Sequence, residues 1–132
     1  MATTKKYHNP EGLLQSPVFS QAISVEGAGR TIYIGGQNGV GPDGAVVGDS
    51  LAEQTKQILR NVLVILEDAG ATPDDVIQWR LAIAEGHSIH EGFGAFQEVW
   101  PAVANPPTIA GTIVSALTVP GAVVEIDAIA VV

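Results

Sequence analysis

The sequence predicts an α+β fold in which a mixed β-sheet carries two helices on one face. Short runs rich in β-branched residues alternate with two longer segments of helical spacing, which indicates both kinds of element. The length of 132 residues suits one domain. A chain of this size buries about two-thirds of its unfolded surface, enough for a core. We therefore predict a single domain over residues 1–132 with the order β-β-α-β-α-β-β.

The first predicted elements are an arm and two strands. Residues 1–17 are polar and interrupted by Pro and Gly, which favours an arm or a short edge strand. Residues 18–25 and 31–34 have the composition of strands. The glycines between them predict a hairpin. Residues 35–48 contain six glycines and one proline, which predicts a loop.

The two helices are marked by their capping residues. Ser50 and Glu53 form a capping box ahead of a helix over residues 50–69. Gly70 can adopt the left-handed conformation that ends such a helix. A second helix is predicted to begin at Ser88, although two glycines weaken it by about 1 kcal/mol each.

Three further strands are predicted over residues 76–84, 108–117 and 122–132. In the last strand, alternate side chains point to opposite faces. One face is wholly apolar and is expected to lie beneath the helices. The other is mostly apolar but carries Glu125 and Asp127. A sheet with helices on one side is normally polar on the other, so we expect a second copy of the chain to cover this face near Glu125.

Composition excludes several classes of function. The net charge of −8 disfavours binding to nucleic acid. The absence of cysteine excludes disulfides and cysteine nucleophiles. The sequence has no apolar run of membrane-spanning length and no signal-peptide pattern, so we expect a cytoplasmic protein without membrane contact. With 46% hydrophobic and only 15% charged residues, it is also predicted to form a homo-oligomer.

Two short patterns could suggest a metal or a cofactor. His87, His90 and Glu91 have the right residue types for a metal site, but the spacing lacks a third ligand signature and favours a solvated helix start. The glycine-rich run over residues 35–41 has no lysine and does not lead straight into a helix, unlike a phosphate-binding loop. We therefore predict neither a metal nor a cofactor.

A set of short motifs runs through the chain in a fixed order. In sequence they are Phe19-Ser20-Gln21-Ala22, Gly36-Gln37, Gly48-Asp49, Gln54, Asn61, Leu66, Ala69-Gly70, Asp75-Val76 and the stretch from Val124 to Ala130. This set resembles the Rid family, the reactive intermediate deaminases also described as endoribonuclease L-PSP, over about residues 7–132. The resemblance implies a chorismate-mutase-like fold, a homotrimer, and hydrolysis of enamines and imines to keto acids and ammonia.

The resemblance also implies a set of site residues. Glu125 matches the glutamate that positions water in the family and is our candidate catalytic residue. Phe19 stands where the family usually has a tyrosine, so the ring is kept and the hydroxyl is lost. Gly35 and Gly36 belong to a motif in which many members have serine at the first position. The alternative for Glu125 is a structural role, accepting hydrogen bonds from backbone amides.

The largest departure from the family concerns the arginine that anchors a substrate carboxylate. By the resemblance it falls on Ile109, and a desolvated charge-assisted pair is worth about 2–5 kcal/mol. A pocket lined by Phe19, Ile109, Ala110 and Gly111 would favour a neutral or apolar ligand. Arg80 could supply a cation from the same or a neighbouring subunit, or it could be a surface or interface arginine paired with an acid.

Two functions from different classes follow. The first is an enzyme that hydrolyses a reactive imine or enamine at clefts between the subunits of a trimer. The second is a non-catalytic trimer that binds a small molecule or a partner protein. Ribonuclease activity is disfavoured by the net charge of −8.

Overall fold

The computed structural model describes residues 3–27 and 29–132 of the chain. Within them, six strands, two α-helices and one short 3₁₀ helix follow one another along the sequence. Their bounds are β1 Thr4–His8, β2 Ala22–Glu26, β3 Thr31–Gln37, α1 Leu51–Asp68, a 3₁₀ turn Pro73–Asp75, β4 Val76–Ala84, α2 Ile89–Val99, β5 Thr108–Val114 and β6 Val124–Val131. The α+β class with two helices is confirmed. The segment predicted as an arm or edge strand contains β1.

The main sheet has four strands in the order β3-β6-β4-β5. Strand β6 runs antiparallel to both β3 and β4, whereas β4 and β5 are parallel, so the sheet is mixed as predicted. Strand β5 lies at the edge. Strands β1 and β2 form a separate antiparallel ribbon.

The predicted hairpin between residues 18–25 and 31–34 is wrong. Strand β2 pairs with β1, and β3 pairs with β6, where Ile32 lies opposite Ala130 and Ile34 opposite Ala128. Turn glycines allow the chain to reverse but do not choose its partner. The pairing with β6 places Ile34 in the core, where it is only 4% exposed, and this burial decides the outcome.

Both helices begin as their caps predict. The Ser50 hydroxyl accepts a hydrogen bond from the Glu53 amide at 3.1 Å and donates one to the Glu53 carboxylate at 3.0 Å. Gly70 follows α1 with φ of +72°. Ser88 caps α2 and accepts a hydrogen bond from the His90 amide at 3.3 Å. Local sequence therefore fixes where each helix starts.

The core lies between the helices and one face of the main sheet. Helix α1 contributes several fully buried aliphatic side chains, and β6 contributes its apolar face, as predicted. Trp79 of β4 and Trp100 after α2 stack edge to face with ring centroids 4.9 Å apart. The opposite face of the sheet is open at Tyr33, which is 78% exposed. None of the described helices is long and apolar enough to cross a membrane.

Candidate functional site

Strand β6 places Glu125 on the open face of the sheet. Its neighbours Val124 and Ile126 are 2% and 5% exposed and point into the core. Because side chains alternate along a strand, Glu125 and Asp127 point to the other side, and both are half-buried. The two carboxylates thus stand on the face that the sequence predicted for them.

The residues opposite Glu125 form a small pocket. Across the β4–β6 pairing, Ala82 lies opposite Glu125 and Arg80 lies opposite Asp127. Across the β4–β5 pairing, Ala110 lies opposite Arg80, and Thr112 lies opposite Ala82. The pocket has a volume of about 300 Å³ and is lined by Arg80, Leu81, Ala82, Ala110, Thr112, Glu125 and Asp127. Arg80 and Ala110, two of the predicted site residues, therefore lie with Glu125 in one depression.

Gly36 is packed directly against the Glu125 carboxyl group. A β-carbon at position 36 would lie 2.7 Å from Oε1 and 2.9 Å from Cδ of Glu125. The β3–β6 pairing is irregular between Ile34 and Gln37, which brings the Gly36 backbone over the carboxylate. A β-carbon at Gly35 would have no neighbour within 4 Å. Of the two glycines, only Gly36 needs its small size for contact with Glu125.

The Glu125 carboxylate accepts no hydrogen bond from any group in residues 3–27 or 29–132. The structural alternative, in which backbone amides satisfy this carboxylate, is therefore not seen in the described part of the chain. A half-buried carboxylate with free acceptor positions can bind a water molecule or a substrate proton donor.

Arg80 is both paired with an acid and part of the pocket. Its Nε donates a hydrogen bond to Asp127 Oδ1 at 2.9 Å. This hydrogen bond and the negative charge of Asp127 raise the pKa of the Arg80 guanidinium above its ordinary value. The side chain is 64% exposed, and only its Nε takes part in the ion pair. Arg80 is therefore one of the residues that line the Glu125 pocket, and its charge is paired with Asp127.

Ile109 and Gly111 lie on the other side of the sheet. Ile109 is paired with Trp79, and Gly111 is paired with Leu81. A β-carbon at Gly111 would lie 3.3 Å from Leu81 Cδ1. Ile109 lines a larger cavity beneath the helices instead of the pocket of Glu125. Within one chain, the structure does not bring Ile109 and Gly111 together with Glu125.

Phe19 is held close to the start of β5. It is half-buried, and the next residue, Ser20, donates hydrogen bonds from its amide to the Pro107 carbonyl at 2.9 Å and from its hydroxyl to the Pro106 carbonyl at 2.5 Å. The preceding residue, Val18, lines the larger cavity. Phe19 itself lines neither the larger cavity nor the pocket of Glu125.

Sequence reasoning missed Leu81, Ala82 and Thr112 in the pocket, and it missed the larger cavity altogether. Both omissions depend on strand pairing, which short motifs do not reveal. As for a metal, no cluster of three His, Asp or Glu side chains suited to hold one occurs among the described residues.

The family model for Endoribonuclease L-PSP matches residues 13–132 of the chain. The chain belongs to this family. The Rid resemblance drawn from the motifs is thereby confirmed. A curated relative from Rattus norvegicus, 2-iminobutanoate/2-iminopropanoate deaminase, is 36% identical over 116 residues, which cover 86% of this chain and 79% of that protein. The Homo sapiens protein of the same name is 34% identical over 114 residues, covering 86% and 79%.

Solved structures of the family share the fold. A Yersinia pestis protein of the Rid family, described as of unknown function, is 33% identical and has a TM-score of 0.82, with 97% of this chain and 98% of that chain covered. RidA from an Antarctic Psychrobacter species is 25% identical with a TM-score of 0.70, covering 96% and 98%. A Schizosaccharomyces pombe relative, named as the mitochondrial protein mmf1, is 30% identical over 132 residues, covering 97% of this chain and 76% of that protein.

Proposed function

We propose that this family member hydrolyses a reactive imine or enamine at clefts between the subunits of a homotrimer, with Glu125 as the catalytic carboxylate. The main support is the placement of Glu125 on the open sheet face, against Gly36 and with free acceptor positions. The rat and human relatives are named imine deaminases, which favours this chemistry over ribonuclease activity.

Glu125 would act as a general base and then as a general acid. Its carboxylate takes a proton from water as the water oxygen bonds to the imine carbon and the C=N π electrons move to nitrogen. The carboxyl group returns that proton to the nitrogen, which gives a neutral carbinolamine. The carboxylate then takes the proton of the carbinolamine hydroxyl and passes it to the amino nitrogen, as the oxygen lone pair forms the C=O bond. The C–N bond breaks, and a carbonyl compound and ammonia leave. A positioned acid–base group of this kind contributes about 10²–10⁴-fold to the rate.

The substrate class follows from the charges around the cleft. With Ile109 at the position of the family arginine, the bidentate partner for a carboxylate is missing. The Arg80 guanidinium is engaged at Nε by Asp127, and the chain carries a net charge of −8 that disfavours anions. We therefore propose an imine or enamine without a free carboxylate as the preferred substrate.

The trimer is proposed because the site needs two copies. Ile109 and Glu125 point to opposite faces of one sheet, so they can line one cleft only if β5 of one copy approaches the open face of another. Strand β5 is an edge strand on which Ile109 and Ile113 are 43% and 72% exposed. Tyr33 exposes an aromatic ring on the open face. Sedimentation should give three times the chain mass of 13.7 kDa, and a stable lone subunit at micromolar concentration would contradict the proposal.

The activity is tested with two imines that are generated in situ by oxidases. A flavin-dependent amine oxidase supplies an imine without a carboxylate from benzylamine, and a flavin-dependent amino-acid oxidase supplies a carboxylate-bearing imine from leucine. We expect the protein to accelerate ammonia release from the first imine more than from the second. Glu125→Gln should abolish the acceleration, whereas Glu67→Gln, an exposed helix carboxylate, should not. Failure to accelerate either imine over buffer would contradict the proposed activity.

The shared cleft is tested by mixing subunits. Ile109→Arg should raise activity toward the carboxylate-bearing imine, because it restores a cation at the family position. The double variant Ile109→Arg, Glu125→Gln should be inactive. When it exchanges subunits with the wild type, some clefts combine the new arginine with an intact Glu125, and activity toward this imine should appear. No activity after verified exchange would show that the two positions do not share a cleft.

A second candidate is a non-catalytic trimer that binds a small apolar molecule. It is favoured by the apolar residues at and around position 109, which line a cavity of about 600 Å³. A trimer that hydrolyses neither imine, with or without Ile109→Arg, would support this candidate. The cytoplasmic location stays a prediction, since one relative is named as mitochondrial.

A further inference from the structure

The main sheet and the two helices line a cavity that is separate from the pocket of Glu125 and that contains, of the predicted site residues, Ile109. It has a volume of about 600 Å³, within the range of roughly 300–1,000 Å³ typical of small-molecule sites. We infer that this helix–sheet cavity is a second ligand site, inside one subunit and on the side of the sheet away from Glu125. It takes a small, neutral, mostly apolar molecule that carries a hydrogen-bond acceptor.

The lining of the cavity sets the neutral and apolar character of the ligand. Helix α1 contributes Leu51 and Leu59, α2 contributes Phe93 and Phe96, and β6 contributes Val124, together with further aliphatic, aromatic and proline residues. No charged side chain of the described chain lines it. An ion would lose its hydration there without gaining a partner, so a charged ligand is excluded.

Two buried polar groups at the cavity indicate that the ligand carries a hydrogen-bond acceptor. Thr55 and Trp79 both line it and are only 4% and 3% exposed. Within the described residues, neither Thr55 Oγ1 nor Trp79 Nε1 has a hydrogen-bond partner. Buried polar groups are almost always partnered in native proteins. Because the indole N–H can only donate, the missing partner must be an acceptor, such as a carbonyl oxygen.

Helix α2 lines one side of the cavity. A β-carbon at Gly92 would lie 3.7 Å from Thr55 Oγ1 and 3.8 Å from Leu51 Cδ2, which is ordinary contact distance. A larger side chain at position 92 would extend into the cavity beside Thr55. Two residues farther on, a β-carbon at Gly94 would have no neighbour within 4 Å. The two glycines therefore provide a matched pair of sites for a blocking substitution and its control.

The probes are acetophenone and α-methylstyrene, which have nearly the same shape but differ in the acceptor. Binding is followed by NMR on ¹⁵N-labelled protein through the indole N–H resonances, with that of Trp79 assigned by Trp79→Phe. We expect acetophenone to bind saturably and to move the Trp79 resonance downfield. α-Methylstyrene should bind about three- to tenfold more weakly, the value of one net hydrogen bond.

The location is tested with substitutions in α2. Gly92→Leu should abolish binding of both probes, whereas Gly94→Leu should leave it intact. The inference is overturned if the wild type gives no saturable shift, if both probes bind equally, or if Gly92→Leu binds as well as Gly94→Leu. If Gly92→Leu fails to fold, the wild-type protein still tests the inference, because equal binding of the two probes would contradict it. Glu125→Gln should lose imine hydrolysis yet keep acetophenone binding. A failure of the proposed hydrolysis can therefore be distinguished from a failure of the proposed ligand site.

Discussion

The Gln54 side chain joins helix α1 to the segment that leads into β6. It is completely buried. Its Nε2 donates hydrogen bonds to the Gly121 carbonyl at 3.0 Å and to the Gly48 carbonyl at 3.3 Å. Its Oε1 accepts a hydrogen bond from the Val123 amide at 2.8 Å. Gln54 thereby fixes the start of the strand that carries Glu125.

Replacing Gln54 by Leu removes these three hydrogen bonds while keeping a similar volume. The part-buried Val123 amide is then left without its side-chain partner, which costs about 1–3 kcal/mol, whereas the carbonyls of the exposed Gly48 and Gly121 can turn to water. Leucine offsets part of this cost by its apolar burial. We expect the free energy of unfolding to fall by about 1–3 kcal/mol. For a chain of this length, Tm then falls by roughly 10 °C.

The assay is calorimetry together with urea unfolding, and the control lies in the same helix. Gln57 is only half-buried, and its Nε2 bonds to the Asn61 side chain at 2.8 Å. We expect Gln57→Leu to cost less than about 1 kcal/mol, because the Asn61 amide oxygen that loses its partner can turn to water. Equal losses for Gln54→Leu and Gln57→Leu would refute the idea that the buried amide network fixes the β6 entry.

Two other predictions rest on close contacts. Gly36→Ala places a β-carbon 2.7 Å from Glu125 Oε1, so the carboxylate must move. We expect the rate of imine hydrolysis to fall at least tenfold, which corresponds to about 1.4 kcal/mol in the activation barrier. Gly35→Ala should retain the activity. Equal kinetics in the two alanine variants would count against this contact. Lys56 Nζ lies 2.8 Å from Glu98 Oε2 and lowers the pKa of that carboxyl. The pair is thus stabilising above the ordinary carboxyl pKa and loses its effect as pH falls through the lowered value. Melting curves should show a small Tm loss for Glu98→Gln at pH 7 that disappears in strong acid or high salt, and a Tm loss unchanged by acid would argue against the ion pair.

The local elements could be predicted from the sequence because their causes are local. Ser50 with Glu53, and Ser88, mark helix starts since a cap acts on amides two or three residues away. The alternation in the last strand correctly assigned Val124 and Ile126 to the core, because the period of two is a property of the strand itself. The membership of the family also follows from ordered motifs in the chain.

The arrangement of the candidate site could be predicted only in part. The motifs pointed to Glu125 and to the neighbouring Gly36, and the structure places these in contact. They also pointed to Ile109, which lies on the other face of the sheet. Which side of the sheet a β5 residue faces depends on its register with β4, and this is set by partners about 30 residues away.

The sequence by itself determined the element types, the helix starts, the buried face of β6 and the family, since each depends on residues close together in the chain or on their order. The tertiary structure decided the partner of β2, the parallel pairing of β4 with β5 and the cavity beside Thr55 and Trp79. These outcomes depend on which apolar surfaces bury one another. Many pairings of short strands satisfy the same local preferences, and the gain from long-range packing selects among them.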